Sequence, residues 1–198
     1  MNIIKLILIT LIIIEGLVLN VWAADFQIGN IVSGGSGCPN GAEHIISYSI
    51  QDNGKKLRFS FEGVELRHTN DRAITRVSCN LVLPMEIAPG KRVKFILKEV
   101  ENEMDIAPMK SAKISIETFF AGDQAVSFEQ QYGGPICGKI KKSVATDLFS
   151  TRLSYCGEKS NLRINNSFLI KQNESTISGI SKFKMKTLVY EVESVDCI

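Results

Sequence analysis

Tryptophan occurs once in this sequence, at Trp22, and histidine only twice, at His44 and His68. That is little material for a metal centre or an aromatic stacking platform, so neither a metal nor a cofactor is expected. Basic residues outnumber acidic ones by two, 23 to 21. Nucleic-acid binding draws on a clustered basic excess, and that small surplus provides none. No stretch keeps a period of 3.6 residues, which excludes a helical bundle. After Ile14 no apolar run approaches the length of a bilayer-spanning helix. Neither an internal repeat nor a Pro/Gly/Ser-rich linker divides the chain.

One apolar run is present, at the start. Met1-Asn-Ile-Ile-Lys5 precedes Leu6 to Ile14, and Val21-Trp22-Ala23 places small residues at −3 and −1 of a cut after Ala23. Together these parts make a secretory signal peptide. An uncleaved membrane anchor is the alternative, but Glu15 and Gly16 interrupt the run too early for it. No cysteine directly follows the cut, which argues against a lipid-anchored lipoprotein. Removing residues 1–23 from the 198 takes away one Lys and one Glu and leaves the net charge at +2. The remaining 175 residues suit a single secreted or periplasmic domain over 24–198.

Five cysteines, Cys38, Cys79, Cys137, Cys156 and Cys197, are an odd number for an exported chain. They imply two bridges and one remaining thiol, with fifteen pairings open. Cys38 to Cys79 and Cys156 to Cys197 share the same separation, 41 residues, which favours bridging those pairs in order. Each bridge would contribute about 4 kcal/mol in the chain-entropy account. Cys137 is then a free thiol or an intermolecular bridge that makes a dimer. Ser33-Gly-Gly-Ser-Gly-Cys-Pro-Asn-Gly41 is too rich in glycine for a helix or central strand, and reads as a loop pinned by Cys38 to Arg76-Val-Ser-Cys79.

Elsewhere the period is two. His44, Ile46, Tyr48 and Ile50 share a face, Gln51-Asp-Asn-Gly54 makes a turn, and Leu57, Phe59 and Phe61 share the next face, so a hairpin is expected. Leu66 to Thr75 reads as a polar loop before the strand Val77 to Leu83. Pro84 and Pro89-Gly90 bound the next turn, and Val93, Phe95 and Leu97 resume the alternation. Ala112, Ile114 and Ile116, then Val126 and Phe128, continue it. Gln130 to Val144 shows no period and reads as a long surface loop suited to contact. Leu162, Ile164, Phe168 and Ile170, then Phe183, Met185, Leu188, Tyr190 and Val192, finish the chain. Eight to ten short strands with regular turns predict an antiparallel β-sandwich, with a Greek-key barrel as the second architecture.

Gly35-Ser-Gly-Cys-Pro39 with Gly41, the hairpin after it, Arg76-x-x-Cys79, Cys156-Gly157 ahead of Leu162 to Ile164, and a cysteine at the extreme C-terminus together resemble the small secreted fungal and bacterial proteins grouped as domain of unknown function 4360. The resemblance covers most of residues 24–198. It implies an exported β-rich domain with four framework cysteines, here Cys38, Cys79, Cys156 and Cys197, and supplies no activity or catalytic residues. Two departures stand out: Ser78 where Asn is more usual, and the additional Cys137.

Several constellations could carry chemistry. Gly34-Gly-Ser-Gly37 fails as a nucleophile elbow, because Cys38 stands where the second glycine belongs, and fails as a phosphate loop for want of a following Gly-Lys-Ser/Thr. A pairing of Cys137 with His44 or His68 would make a thiol nucleophile, but nothing local supports one. Glu99, Glu101, Glu103 and Asp105 alternate along one strand at about 7 Å, too far apart to share one calcium ion, and read as a solvated face. Lys182, Lys184 and Lys186 form a basic stripe that, with Lys139, Lys141 and Lys142 of the long loop, is a candidate face for a protein or glycan partner, including the acidic row of a second copy. Asn165-Asn-Ser167 and Asn173-Glu-Ser175 are glycosylation sequons with both asparagines facing outward.

The functional expectation is an exported, non-enzymatic binding or structural module. Two alternatives stand beside it. One is an inhibitor or effector presenting a pinned loop, Gly34 to Gly41 or Gly133 to Lys142. The other is a hydrolase whose dispersed carboxylates only the fold would assemble.

Overall fold

The computed structural model describes residues 24–39, 42–144, 147–173 and 179–198. The expected leader and Glu174-Ser175 of the second sequon lie outside them. Twelve strands are described: β1 (Phe26–Ile28), β2 (Val32–Gly34), β3 (Ile46–Gln51), β4 (Lys56–Phe61), β5 (Glu65–His68), β6 (Ile74–Ile87), β7 (Lys91–Ile106), β8 (Lys110–Phe120), β9 (Val126–Gly133), β10 (Ile136–Ser143), β11 (Lys159–Gln172) and β12 (Ser181–Asp196). They form two six-stranded antiparallel sheets. The front sheet runs β1-β6-β11-β8-β9 with β2 beside β6, and the back sheet runs β10-β7-β12-β4-β3 with β5 beside β12. The sandwich expectation holds, and the barrel does not form.

Alternation dictates the core. β11 buries Leu162, Ile164, Phe168 and Ile170, β8 buries Ala112, Ile114 and Ile116, and from the back sheet Phe95, Val100, Met104, Leu188 and Tyr190 meet them. Phe168 stacks on Phe183 with ring centroids 4.7 Å apart, and Phe26 meets Phe95 edge-on at 5.6 Å. The Tyr190 and Thr118 hydroxyls, 2.9 Å apart and both buried, tie the two sheets across this apolar layer.

The buried series changes parity twice, and each change marks a bulge. In β12 the series passes from Phe183 and Met185 to Leu188 and Tyr190, with Lys186 as the extra residue. In β7 it passes from Phe95 and Leu97 to Val100 and Met104, with Lys98 as the extra residue. One unpaired residue in each strand keeps the apolar side facing inward over 16 residues.

Both bridges are present, Cys38–Cys79 with both cysteines buried, and Cys156–Cys197 at the opposite end of the chain. The glycine loop lies flat on β6: Gly37 N–H donates to the Ser78 carbonyl at 2.7 Å, and Ser78 N–H donates to Ser36 Oγ at 3.1 Å. At the far end Cys197 N–H donates to the Gly90 carbonyl at 2.8 Å and Gly157 N–H to Lys91 at 3.0 Å.

Several local expectations are corrected. Gln130 to Val144 is not a loop: it holds the end of β9 and all of β10, joined through Gly134-Pro135. Both are edge strands exposed on much of their two faces, so no burial period was imprinted on their sequence. Leu66 to Thr75 is partly strand, because β5 pairs with the start of β12. Pro84 does not end a strand: it lies inside β6, where its carbonyl accepts from Gly29 N–H at 2.7 Å. Its missing donor points the same way, into the break between β1 and β2, so no ladder bond is lost. The strands are also longer than expected, with β6, β7, β11 and β12 each 14 or 16 residues.

Candidate functional site

The outward face of the back sheet is a ladder of ion pairs. Register places Lys182 and Lys184 of β12 opposite Asp105 and Glu103 of β7, and Lys139 and Lys141 of β10 opposite Glu103 and Glu101. Lys186 Nζ lies 3.2 Å from Glu103, Lys184 3.3 Å from Glu65, and Lys141 2.8 Å from Glu99. Lys94 and Lys98 pair with Glu193 and Glu191 at 2.7 and 3.1 Å, and Thr187 Oγ1 donates to Glu101 at 3.1 Å. The basic stripe and the acidic row thus meet within one sheet rather than across two copies. Lys139, Lys142 and Lys182 make no ion pair among the described residues, and Lys142 lies on the inward-facing row of β10.

The outward face of the front sheet is of another kind. Register aligns Ser78, Ser167, Ser115 and Glu129 in one row, and Asn80, Asn165, Glu117 and Ser127 in the next. Arg76 lies beyond the first row, and Arg163 with Phe119 beyond the second. Internal bonds here are few and mostly long. Arg76 Nε donates to Ser167 Oγ at 2.8 Å, Asn165 Nδ2 to Glu117 at 3.4 Å, and Ser115 Oγ to Glu129 at 3.5 Å. Among the described residues the ion pairs on this face are Lys113 with Glu129 at 2.9 Å and, at its far end, Lys159 with Glu86 at 3.9 Å. Asn80 and Arg163 are exposed and make no side-chain hydrogen bond or ion pair among the described residues. Their signal in the sequence was faint: Arg76-x-Ser78-x-Asn80 and Arg163-x-Asn165-x-Ser167 are the polar halves of strand alternations, and only the register joins them.

A cleft opens where the front sheet's first edge approaches the back sheet's last. Phe26, Ile28, Tyr48, Ile50 and Asn53 line about 640 Å³ of it, and Asn30, Ile31 and Ile46 extend it by about 320 Å³. Tyr48 Oη donates to the Ile28 carbonyl at 3.4 Å across this cleft. Of the face expected from His44, Ile46, Tyr48 and Ile50, only Ile46 is buried; Tyr48 is 39% and Ile50 37% exposed.

The thiol and imidazoles are kept apart. Cys137 is exposed at the β10 edge, in a row that continues through Asp105 and Lys182 to Arg67 of β5, about 14 Å away at three strand spacings. His68 is the next residue and faces the core, on the other side of the sheet. His44 precedes β3 at the opposite edge. His68 instead shares a hydrogen bond with Thr75 Oγ1 at 2.8 Å, near the buried Lys110, whose Nζ donates to Asn70 at 2.8 Å and to the Gly179 carbonyl at 2.5 Å. Burial lowers the pKa of both. No Asp or Glu is buried among the described residues, and none forms a metal-holding cluster with His or Cys. Asn165 sits outward on the central strand β11, while its neighbour Asn166 is buried and donates to the Cys79 carbonyl at 3.1 Å. Asn173 follows β11 directly and is exposed.

The model of the family described as Domain of unknown function (DUF4360) matches residues 24–197. The chain belongs to this family. No curated protein matches it. Among solved structures, DUF4360's representative here is similar to TmCBM61 in complex with β-1,4-galactotriose, at 10% identity over 86% of this chain and 91% of that one, with a TM-score of 0.33. It is also similar to the mannan-recognising carbohydrate-binding module TmCBM27, at 8% identity over 85% and 99%, TM-score 0.28. The family 11 carbohydrate-binding module from Clostridium thermocellum matches at 9% identity over 86% and 91%, TM-score 0.25.

Proposed function

We propose that the protein works outside the cytoplasm as a non-enzymatic binding module, and that it takes a neutral glycan across the outward face of the front sheet. The observation that carries this reading is the contrast between the two outward faces. On the back sheet most charged groups already have partners. On the front sheet the amide of Asn80 and the guanidinium of Arg163 have none among the described residues, and of the nearby hydroxyls Ser167 accepts from Arg76 while the contact of Ser115 is long. Sugar hydroxyls both donate and accept, so they pair with such uncommitted amide, hydroxyl and guanidinium groups without first breaking an internal bond. Phe119, half-buried beside Arg163, offers one apolar edge. The expected leader and the two disulfides support export, since bridges persist in oxidising compartments.

Affinity electrophoresis against a panel of neutral polysaccharides tests this. The protein should be retarded by at least one of them, insensitively to salt, and Asn80→Ala with Arg163→Ala should weaken that retardation tenfold or more. Unretarded migration in every gel would sink the reading. Because Asn165 lies in the middle of this face, the binding form must carry no sugar there.

A further inference from the structure

The back sheet ends in two open edges, β3 and β10, that differ in chemistry. Glu62 N–H donates to the Ile45 carbonyl at 2.7 Å, and β3 pairs with β4 through Ile46–Phe61, Tyr48–Phe59 and Ile50–Leu57. Bonded and non-bonded pairs alternate in an antiparallel ladder. Ser47, Ser49 and Gln51 therefore bond to β4, and the N–H and C=O groups of Ile46, Tyr48 and Ile50 point to the open side. The Ile46 N–H closes the last turn of the 3-10 helix Ala42–Ile45; no backbone group among the described residues answers those of Tyr48 and Ile50.

We infer that β3 is the interface for a second copy of this chain, joined edge to edge about a two-fold axis through Tyr48. An antiparallel partner must match outward-pointing residues with outward-pointing residues. The axis at Tyr48 matches all three: Ile46 opposite Ile50 of the second copy, Tyr48 opposite Tyr48, Ile50 opposite Ile46. Axes at Ser47 or Ser49 shorten this overlap. The intervening residues then meet as Ser47 against Ser49, without charge. Tyr48 and Ile50, half-exposed in a monomer, are covered, and the cleft beside them has room for the incoming side chains.

The other edges do not fit a second copy in this way. On β10, Val144 N–H donates to the Lys98 carbonyl at 2.7 Å, so Cys137, Lys139, Lys141 and Ser143 point outward. A two-fold axis at Ile140 sets Lys139 against Lys141, and axes at Lys139 or Lys141 set a lysine against itself. That edge is guarded by repulsion. On the front sheet, β9 presents Ser127, Glu129 and Gln131, so pairing there covers little apolar surface, and β1 and β2 are only three residues each.

The test uses Cys137→Ser protein, which removes the exposed thiol and leaves both bridges, so association through a disulfide is excluded. Sedimentation equilibrium should give a dimer, and hydrogen exchange should show the Tyr48 and Ile50 amides protected. Ser47→Lys with Ser49→Lys, both at exposed positions, recreates the repulsion of β10 and should halve the mass and speed exchange of those two amides tenfold or more. Ser47→Gln with Ser49→Gln should leave the dimer intact. A parent protein that stays monomeric at its solubility limit overturns the inference. So does a dimer that survives the lysine pair with those amides exchanging freely. Protection that appears only when an extended peptide is added would overturn it too, in favour of strand donation by another protein. None of these readouts involves glycan binding, so the two proposals fail separately.

Discussion

Gly35 lies so close to the Ser78 carbonyl that a Cβ built on it would sit 2.5 Å from that oxygen. Its φ of +110° is a backbone region that side chains rarely enter, so contact and conformation both demand glycine. Gly35→Ala should therefore cost about 2 kcal/mol or more, seen as a lower urea midpoint at unchanged slope. Gly133→Ala, where an added Cβ meets nothing within 4 Å, serves as the control and should be nearly silent. An unmoved midpoint for Gly35→Ala would mean the loop does not rest on β6.

Tyr190 and Thr118 make a buried polar link between the sheets. Burial raises the pKa of the Tyr190 phenol, so it stays protonated and able to donate across the neutral range. Tyr190→Phe removes one partner and leaves the buried Thr118 hydroxyl unanswered, a loss of about 1–3 kcal/mol. Thr118→Val should lose a comparable amount. The double variant should lose less than the sum of the two, and denaturation of all four proteins measures the coupling. Strict additivity would remove the bond from the account of how the sheets register.

How much of this was legible beforehand depended on burial. β11 and β12 are packed on one side along nearly their whole length, so Leu162, Ile164, Phe168 and Ile170 printed a clear period of two into the chain. The parity change between Met185 and Leu188 even carried the bulge at Lys186, for a reader who treats a broken period as an inserted residue. The end of β9 and all of β10 face solvent on much of both sides, so their residues were free of that constraint and read as loop. Pro84 misled because the penalty for proline in a strand depends on what its nitrogen faces. The front-sheet rows were illegible for a different reason. Ser78, Ser167 and Ser115 are separated by up to 89 positions, and only strand register makes them neighbours. The same holds for Lys186 and Glu103, which were seen separately as a basic stripe and an acidic row.

His68 gives the protein a pH dependence of known sign. Burial strips water from its imidazolium and the nearby Lys110 ammonium repels it, both lowering the pKa, while Asp71 acts weakly the other way. The unfolded chain takes up a proton near pH 6.5, before the folded one does. Stability should therefore be held above that pH and fall as pH drops through it toward the lowered folded value. His68→Gln should flatten this component, so that the difference in melting temperature between pH 8 and pH 5 narrows relative to the parent. An unchanged difference would assign the acid sensitivity elsewhere.

The cysteine framework makes a prediction in whole-molecule mass. Cys137 is exposed on β10, whereas Cys38 and Cys79 are buried and bonded, and Cys156 is bonded to Cys197. Iodoacetamide applied to the native protein should add one group, and after denaturation with reduction it should add five. Lys139 and Lys141 follow Cys137 on its row of β10, and their charge argues against the β10 edges of two copies approaching each other. Mass measured on the denatured, unreduced protein should then correspond to a single covalent chain, and Cys137→Ser should leave that mass class and the urea midpoint unchanged. A native protein that takes no alkyl group, with a mass that halves on reduction, would make Cys137 a covalent junction between two copies.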